Sequence, residues 1–352
     1  MTATIAQIHG MMLEEALLYL LEVSGYRRVE GATASGKNDP TLQDGTVGLE
    51  VLGRGEAHQI DAVADLAIAQ PFSLPQRLLI EGKFRPQKTG IEVVRNAIAI
   101  LKDIREYWVG KDKVPPKARY QYQYAIFSVS SYTSPAQQYA YAHDIYLIPL
   151  EKSAFFQPII KAIKGLAINN FNTPVTEKAL SQLRKAIREG IRDSQTSLFR
   201  DFMPSKYIPL MENFCRECRW VNGALIGMMA RQFPILLVPH PDVRFDDLKS
   251  QEKVEIYTDG NGYYLRQASS GNLLFSFELP EDLFNLYAEQ DILLQMQTFD
   301  YKTNYMLEIQ STVICKGEAR AIAFQLDNDW LDQYRDRNRD NIDKNEETKD
   351  KN

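Results

Sequence analysis

Asp61, Glu81 and Lys83 are the residues of this chain whose types and spacing could do chemistry together. The local text is Gly55-Glu56-Ala57-His58-Gln59-Ile60-Asp61, then Arg77-Leu78-Leu79-Ile80-Glu81-Gly82-Lys83-Phe84. A strand sends alternate side chains to opposite faces, so Glu81 and Lys83 share a face and Gly82 takes the other. With Asp61 supplied by a neighbouring strand, two carboxylates and an ammonium converge on one spot. Adjacent carboxylates repel unless something positive sits between them. A divalent cation meets that need, and hard carboxylate oxygens suit Mg²⁺, with Mn²⁺ as a substitute. The chemistry implied is metal-assisted hydrolysis of a phosphodiester. The metal polarises the phosphate and acidifies the attacking water, while Lys83 orients that water and steadies charge in the transition state. Glu-x-Lys alone is a common pattern on exposed strands. Its flanks, Leu78-Leu79-Ile80 and Phe84, indicate a buried strand, where unpaired charge is costly.

Other side chains attach to this core by position. Gln59 lies two residues before Asp61 and shares its face on a continuous strand, where it could orient the site or touch a phosphate. His58 points the other way and reads as structural. Arg85, Lys88 and Arg95 follow closely and are candidate phosphate contacts.

The elements that must position these residues are legible from periodicity. Met11 to Ser24 reads as a helix with an apolar stripe of Leu13, Leu17, Leu20 and Leu21, stopped by Gly25. Glu14 lies on that apolar face, so its carboxylate needs a partner, unless it sits at the stripe edge and reaches solvent or forms a salt bridge to a nearby basic side chain. Residues 31–47 read as a loop and Gly48 to Leu52 as a short strand. Gln59 to Ala69 and Leu78 to Phe84 read as strands joined by a Pro-bearing turn. Ile91 to Trp108 is a helix and residues 109–119 a Lys/Pro-rich loop. Tyr124 to Ser130 is a strand, Ser134 to Ala142 a helix, and Ile145 to Leu150 a strand. This order predicts an α/β mixed sheet flanked by helices over residues 1–150. A helical linker spans 151–200, with Phe156 to Ile168 and Thr176 to Asp193 as its helices. On the second, Arg184, Arg188 and Arg192 form a basic ridge opposite Leu180, Leu183, Ile187 and Ile191. Residues 201–332 read as a β-rich accessory domain, its strands separated by hairpin signals at Asp259-Gly260-Asn261-Gly262 and Ser270-Gly271-Asn272. The tail 333–352 is nearly all charge and amide and is expected to be disordered.

At 352 residues, two domains and a sizeable core are expected. Composition is that of an ordinary globular protein, 44% hydrophobic and 25% charged. No apolar run approaches the ~18 residues of a membrane span. The N-terminal residues lack a basic region followed by an apolar stretch, so no secretory signal is expected. Three cysteines argue against a disulfide framework and fit a reducing, cytoplasmic setting. Net charge is −5, but residues 77–119 carry eleven Lys/Arg against five Asp/Glu, and residues 201–352 seventeen against twenty-six. The site therefore opens a basic block inside an acidic chain, and such a block attracts phosphate backbones.

Over residues 8–150 the chain resembles the PD-(D/E)xK nuclease superfamily, and within it the Mrr-like restriction endonucleases. Gly10-Met-Met-Leu13-Glu14, with Gly25-Tyr26 after it, resembles the opening helix with its glutamate. Gly55 through His58-Gln59-Ile60-Asp61 resembles the metal-binding strand, Ile80-Glu81-Gly82-Lys83 the (D/E)xK strand, and Gly90-Ile91-Glu92-Val93-Val94-Arg95-Asn96-Ala97 the helix that follows. Phe127-Ser128, Ala136, Tyr139-Ala140 and Ile145-Tyr-Leu-Ile148 resemble the closing strand, helix and strand. Two departures stand out: Gly82 replaces a frequent cysteine, and Ile60 stands before Asp61 where the superfamily's name puts proline. The resemblance implies a restriction-endonuclease-like fold, with Glu14 as a further metal ligand beside Asp61 and Glu81. It implies a Mg²⁺-dependent endonuclease acting on double-stranded DNA in restriction, defence or repair. The alternatives are a catalytically silent nucleic-acid-binding or assembly module, or a nuclease directed at RNA. One site per chain suits a homodimer for cutting two strands, and the C-terminal domain is a natural seat for target or partner recognition.

Other signals carry less. Cys215-Arg-Glu-Cys218 has the spacing of half a zinc site but lacks a second pair, and structural zinc takes four ligands. Tyr120-Gln-Tyr122-Gln-Tyr124 reads as a strand with aromatic packing rather than a base-stacking platform.

Overall fold

The computed structural model describes residues 2–33, 39–45, 48–68, 72–108, 119–151, 153, 155–220, 224–229, 233–258, 262–278, 306–333 and 336. The expected Lys/Pro-rich loop, the hairpin turn at 259–261 and almost all of the expected disordered tail lie outside those residues. The chain divides into two compact units, Met1–Gly223 and Ala224–Asn352.

In the first unit, helix α1 spans Ile5–Val23, six residues longer at its start than the apolar stripe suggests. A capping box explains the early start: Thr4 accepts from the Gln7 amide while Gln7 reaches back to the Thr4 amide. Gly25 ends it with φ of +90°, a conformation costly for any other residue. Short strands follow: β1 (Tyr26–Arg28), β2 (Leu42–Asp44), β3 (Leu49–Leu52), β4 (Ala57–Gln59) and β5 (Ala62–Leu66). Next come β6 (Gln76–Lys83), α2 (Ile91–Arg105), β7 (Gln121–Ser128), α3 (Ser134–Ala142) and β8 (Ile145–Pro149). The expected mixed α/β sheet is present, in the order β1-β5-β6-β7-β8. The first two pairings are antiparallel and the last two parallel.

The strand expected over 59–69 is broken. β4 ends at Gln59 and pairs with β3 in a separate three-stranded sheet, while β5 starts at Ala62 and pairs with β6. Ile60 is the hinge: its side chain is buried in the core between the two sheets' strands, packed with Val51, Val63 and Leu79.

One face of the larger sheet packs on α1, where Leu13, Leu17, Leu20 and Leu21 are fully buried. Each such leucine contributes about 1.5–3 kcal/mol relative to exposure. The other face packs on α2 through Leu79, Tyr124, Ile126, Val94, Ala97 and Leu101. Helices α4 (Gln157–Lys164), α5 (Glu177–Asp193) and α6 (Ile208–Arg219) complete this unit, packing on α1 and on one another. The segment expected as a linker is thus part of the first unit's body.

The second unit is a closed seven-stranded β-barrel. Its strands are β9 (Leu225–Met229), β10 (Phe233–Pro239), β11 (Gln251–Thr258), β12 (Tyr263–Gln267), β13 (Leu273–Phe277), β14 (Glu308–Cys315) and β15 (Glu318–Leu326). The order is β10-β13-β12-β11-β15-β14-β9, closed by β9 on β10, and only β11 with β15 is parallel. Leu237, Leu265, Phe275, Val313 and Phe324 fill its interior. Lys316 and Gly317 both have positive φ, the geometry of a two-residue turn between β14 and β15.

Candidate active site

β6 delivers the site. Leu78, Leu79 and Ile80 are buried, and the strand then emerges at Glu81 and Lys83. A Cβ on Gly82 would lie 3.4 Å from Leu13 and 3.7 Å from Leu17, so Gly82 faces α1. Glu81 and Lys83 therefore take the α2 side, alternating as a strand requires. Lys83 Nζ stands 2.5 Å from Glu81 Oε1, and the Tyr124 hydroxyl donates to Glu81 Oε2 at 2.6 Å. Tyr124 belongs to the site although sequence reading assigned it to packing. The available signal was its place on β7, which pairs in parallel with β6 and seats Tyr124 beside Leu79, two residues before Glu81.

Asp61 joins them from the break before β5. Its Oδ2 accepts the Gly82 amide hydrogen at 2.9 Å, next to the Ala62–Ile80 pair of the β5–β6 ladder. The expected convergence of Asp61, Glu81 and Lys83 is present, but Asp61 reaches it from a turn rather than from a strand.

Glu14 approaches from α1. Its side chain is only 15% exposed, and Arg184 Nη2 of α5 donates to its Oε2 at 2.5 Å. Burial raises Glu14 to about 7 against the pull of Arg184, and the Asp61 charge adds to the rise. Burial also raises Asp61; the Gly82 amide opposes that shift, Glu81 adds to it, and Lys83 and Arg184 oppose it. Burial and the Glu81 carboxylate push the Tyr124 hydroxyl well above the usual phenol range. Asp61 is thus the link: its charge acts on Glu14, and the Glu81 charge acts on it.

Among the described residues, no group of three or more His, Cys, Asp or Glu side chains is arranged to hold a metal ion. Glu14 is turned to Arg184, and Glu81 to Lys83 and Tyr124, so the three-carboxylate ligand set is not drawn together. Asp61 and Glu81 remain as a mutually repelling pair, and one or two carboxylates are what a protein usually offers Mg²⁺. The donor chemistry of that pair fits the metal.

The candidate phosphate contacts fare differently. Just past the end of β6, Nε and Nη2 of Arg85 are buried without a hydrogen-bond partner among the described residues. Lys88 is exposed in the loop before α2. Arg95 is exposed on α2 with its guanidinium 5.6 Å from the Tyr139 ring centroid. Gln59 does not share a face with Asp61 as expected: it closes β4 opposite Glu50, in the other sheet, and the strand break separates the two residues. His58 is structural as expected, with Nε2 2.8 Å from Asp103 of α2.

The basic ridge of α5 is not open to a ligand. Arg184, Arg188 and Arg192 pair with Glu14, Glu15, Glu22 and Glu30. Glu15, fully buried, is the centre of that knot: Arg28 Nη1 lies at 2.8 Å, Arg188 Nη2 at 3.3 Å and Arg184 Nη1 at 3.6 Å. Burial pushes Glu15 up, but the arginines outweigh it and hold it below the usual carboxylate range. Sequence reading missed Glu15 because its partners lie on β1 and α5. Cys215 and Cys218 are buried on α6, where burial raises both thiols, Cys215 to about 12.

No family model matches the chain, and no curated protein matches it. Among solved structures it is similar to a protein of unknown function, AF1548, with 18% identity and a TM-score of 0.35. That likeness covers 60% of this chain and 98% of the other.

Proposed function

We propose that the first unit is a Mg²⁺-dependent endonuclease, with Mn²⁺ as a substitute metal, that hydrolyses phosphodiester bonds of DNA. The observation that carries this reading is the meeting of Asp61, Glu81 and Lys83 at the end of β6, with Asp61 on the Gly82 amide and Glu81 held between Lys83 and Tyr124. The resemblance to the PD-(D/E)xK nucleases supports the same reading, including a setting in restriction, defence or repair. Asp61 and Glu81 would hold the metal, with Glu14 available as a third carboxylate. The metal supplies Lewis acidity toward the scissile phosphate and lowers the pKa of water. Lys83, already on the Glu81 carboxylate, orients the attacking water and offsets negative charge as the phosphate is attacked. Tyr124 fixes the Glu81 carboxylate through Oε2. Arg85 has donors to spare, and a phosphate oxygen would relieve the ~1–3 kcal/mol cost of leaving each buried donor unpaired.

The test is plasmid cleavage in Mg²⁺ or Mn²⁺ by the wild type, Asp61→Ala and Lys83→Ala, each shown to be folded. Cleavage by the wild type alone is expected. Cleavage that survives both substitutions overturns the site assignment. A wild type that neither cuts nor gives a heat of divalent-ion binding points instead to a silent binding module. Running the same series on RNA decides between the two nucleic acids.

A further inference from the structure

The residue that sequence reading left out of the site altogether is Arg184, 170 positions from Glu14. It comes from the middle of α5, a helix started by Thr176, whose side chain accepts from the Ala179 amide. Its guanidinium reaches Glu14 Oε2 at 2.5 Å through Nη2 and Glu15 Oε1 at 3.6 Å through Nη1. Glu15 does not depend on it, because Arg28 and Arg188 both stand closer. Among the described residues no other cation lies within ion-pair distance of Glu14, so Arg184 is principally the partner of Glu14. Charge from Arg184 is also felt at Asp61.

Asp61 thus feels two cations, Lys83 paired with Glu81 and Arg184 paired with Glu14. Lys83 is fixed on the strand that carries Glu81. Arg184 sits on a different element, is 31% exposed, and has a long stem on which its charged head can swing to solvent. A divalent ion brought beside Asp61 would face Arg184 across the same carboxylate cluster, and like charges at such range repel strongly when partly buried. Glu14 can serve one of them.

We infer that Arg184 is a resident counter-ion that competes with the divalent metal for Glu14, and so sets the metal concentration at which the site loads. This rests on the metal-site reading above and adds a positioning residue that works against loading rather than for it. Helix α5 then acts as part of the site: any movement that withdraws it frees Glu14 and favours the loaded form.

The experiment is calorimetric titration of Mn²⁺, without nucleic acid, into the full-length wild type, Arg184→Gln, Arg184→Lys and Asp61→Ala at one fixed pH near 8. Thermal melts first establish that each variant is folded. Expected are binding that Asp61→Ala abolishes, affinity about tenfold tighter in Arg184→Gln, and affinity near wild type in Arg184→Lys, which keeps the charge. A purely structural arginine would not tighten binding when removed. Equal or weaker binding in Arg184→Gln, with Asp61-dependent binding intact in the wild type, overturns the competition and leaves the metal site standing. No Asp61-dependent binding in any folded variant overturns both. Should Arg184→Gln fail to fold, the wild type itself decides. The Arg184 Nε–Hε resonance is expected to move toward that of a solvated arginine as Mg²⁺ saturates the protein. A resonance unmoved at saturation overturns the inference.

Discussion

Glu14 and Glu15 are neighbours on one helix, yet their stabilities should respond to pH in opposite directions. Burial raises Glu14 from 4.5 to about 7, so the folded chain binds this proton more tightly than the unfolded chain does. The stability this contributes is complete below pH 4.5 and disappears as pH rises to about 7; the linkage amounts to about 3 kcal/mol. Glu14→Gln removes it. Relative to the wild type, that variant should gain up to ~3 kcal/mol between pH 4.5 and about 7.5. Glu15 is held below 4.5 by Arg28, Arg188 and Arg184 against its burial, so its contribution is present above pH 4.5 and is lost as pH falls through the depressed value. Glu15→Gln leaves Arg28, 4% exposed, with Glu22 at 3.4 Å as its remaining acidic partner among the described residues. Breaking a buried pair in this way costs about 3–5 kcal/mol, a large share of the ~5–15 kcal/mol of a typical domain. That penalty should be greatest at neutral pH and shrink in acid. Urea denaturation across the pH range, followed through the helical signal that belongs mainly to the first unit, measures both. Curves for Glu14→Gln and the wild type that stay parallel from pH 4.5 to about 7.5 would refute the assignment of Glu14 as a buried carboxyl held toward its neutral form.

Tyr124→Phe keeps the ring and removes the hydroxyl on Glu81. It should weaken divalent-ion binding by about ten- to a hundredfold with little change in melting temperature, as read by calorimetry and a thermal scan. Arg77, 1% exposed, pairs with Asp65 and Asp39 and lies 3.6 Å over the Tyr120 ring. Arg77→Met should therefore cost about 3 kcal/mol or more in denaturant titration without a specific effect on metal binding. Gly82→Ala meets Leu13 at 3.4 Å, an ordinary contact, and should change stability by about 1 kcal/mol or less while preserving cleavage. Under native conditions a thiol reagent should modify Cys315, which is half-buried, and leave Cys215 and Cys218 untouched until the chain unfolds.

Long periodic segments were legible in the sequence because one face of each is apolar. α3 matches its expected span, α5 differs by one residue at its start, and β6 and β8 by one or two at their ends. The centre of the site was legible too, since Leu78-Leu79-Ile80 marks a buried strand that must place Glu81 and Lys83 together. Three things were not. The break at Ile60–Asp61 was hidden because an apolar residue at a hinge looks like one inside a strand. β1 and β2 are three residues each, too short to show alternation. The pairing of Glu14 with Arg184 joins residues far apart in sequence, and a ridge of arginines reads the same whether it faces water or a buried acid. The ridge of α5 is of the second kind, its arginines paired with Glu14, Glu15 and Glu22 of α1.

The Glu15 knot also sets a timetable for synthesis. When residue 150 has emerged, α1 and both sheets of the first unit are present in sequence, but Glu15 has only Arg28 of its three arginines. Arg184 and Arg188 arrive later, and Leu13 and Leu17 cover the sheet beside a carboxylate still short of partners. The first unit can lock only after α5 has been made, so its folding waits for the chain to pass about residue 193. The barrel waits longer, since β9, its first strand, must pair with β14, and β11 with β15. A nascent chain therefore keeps the Glu15 side of α1 uncovered until α5 is made. During that interval α1 is the surface a chaperone would meet.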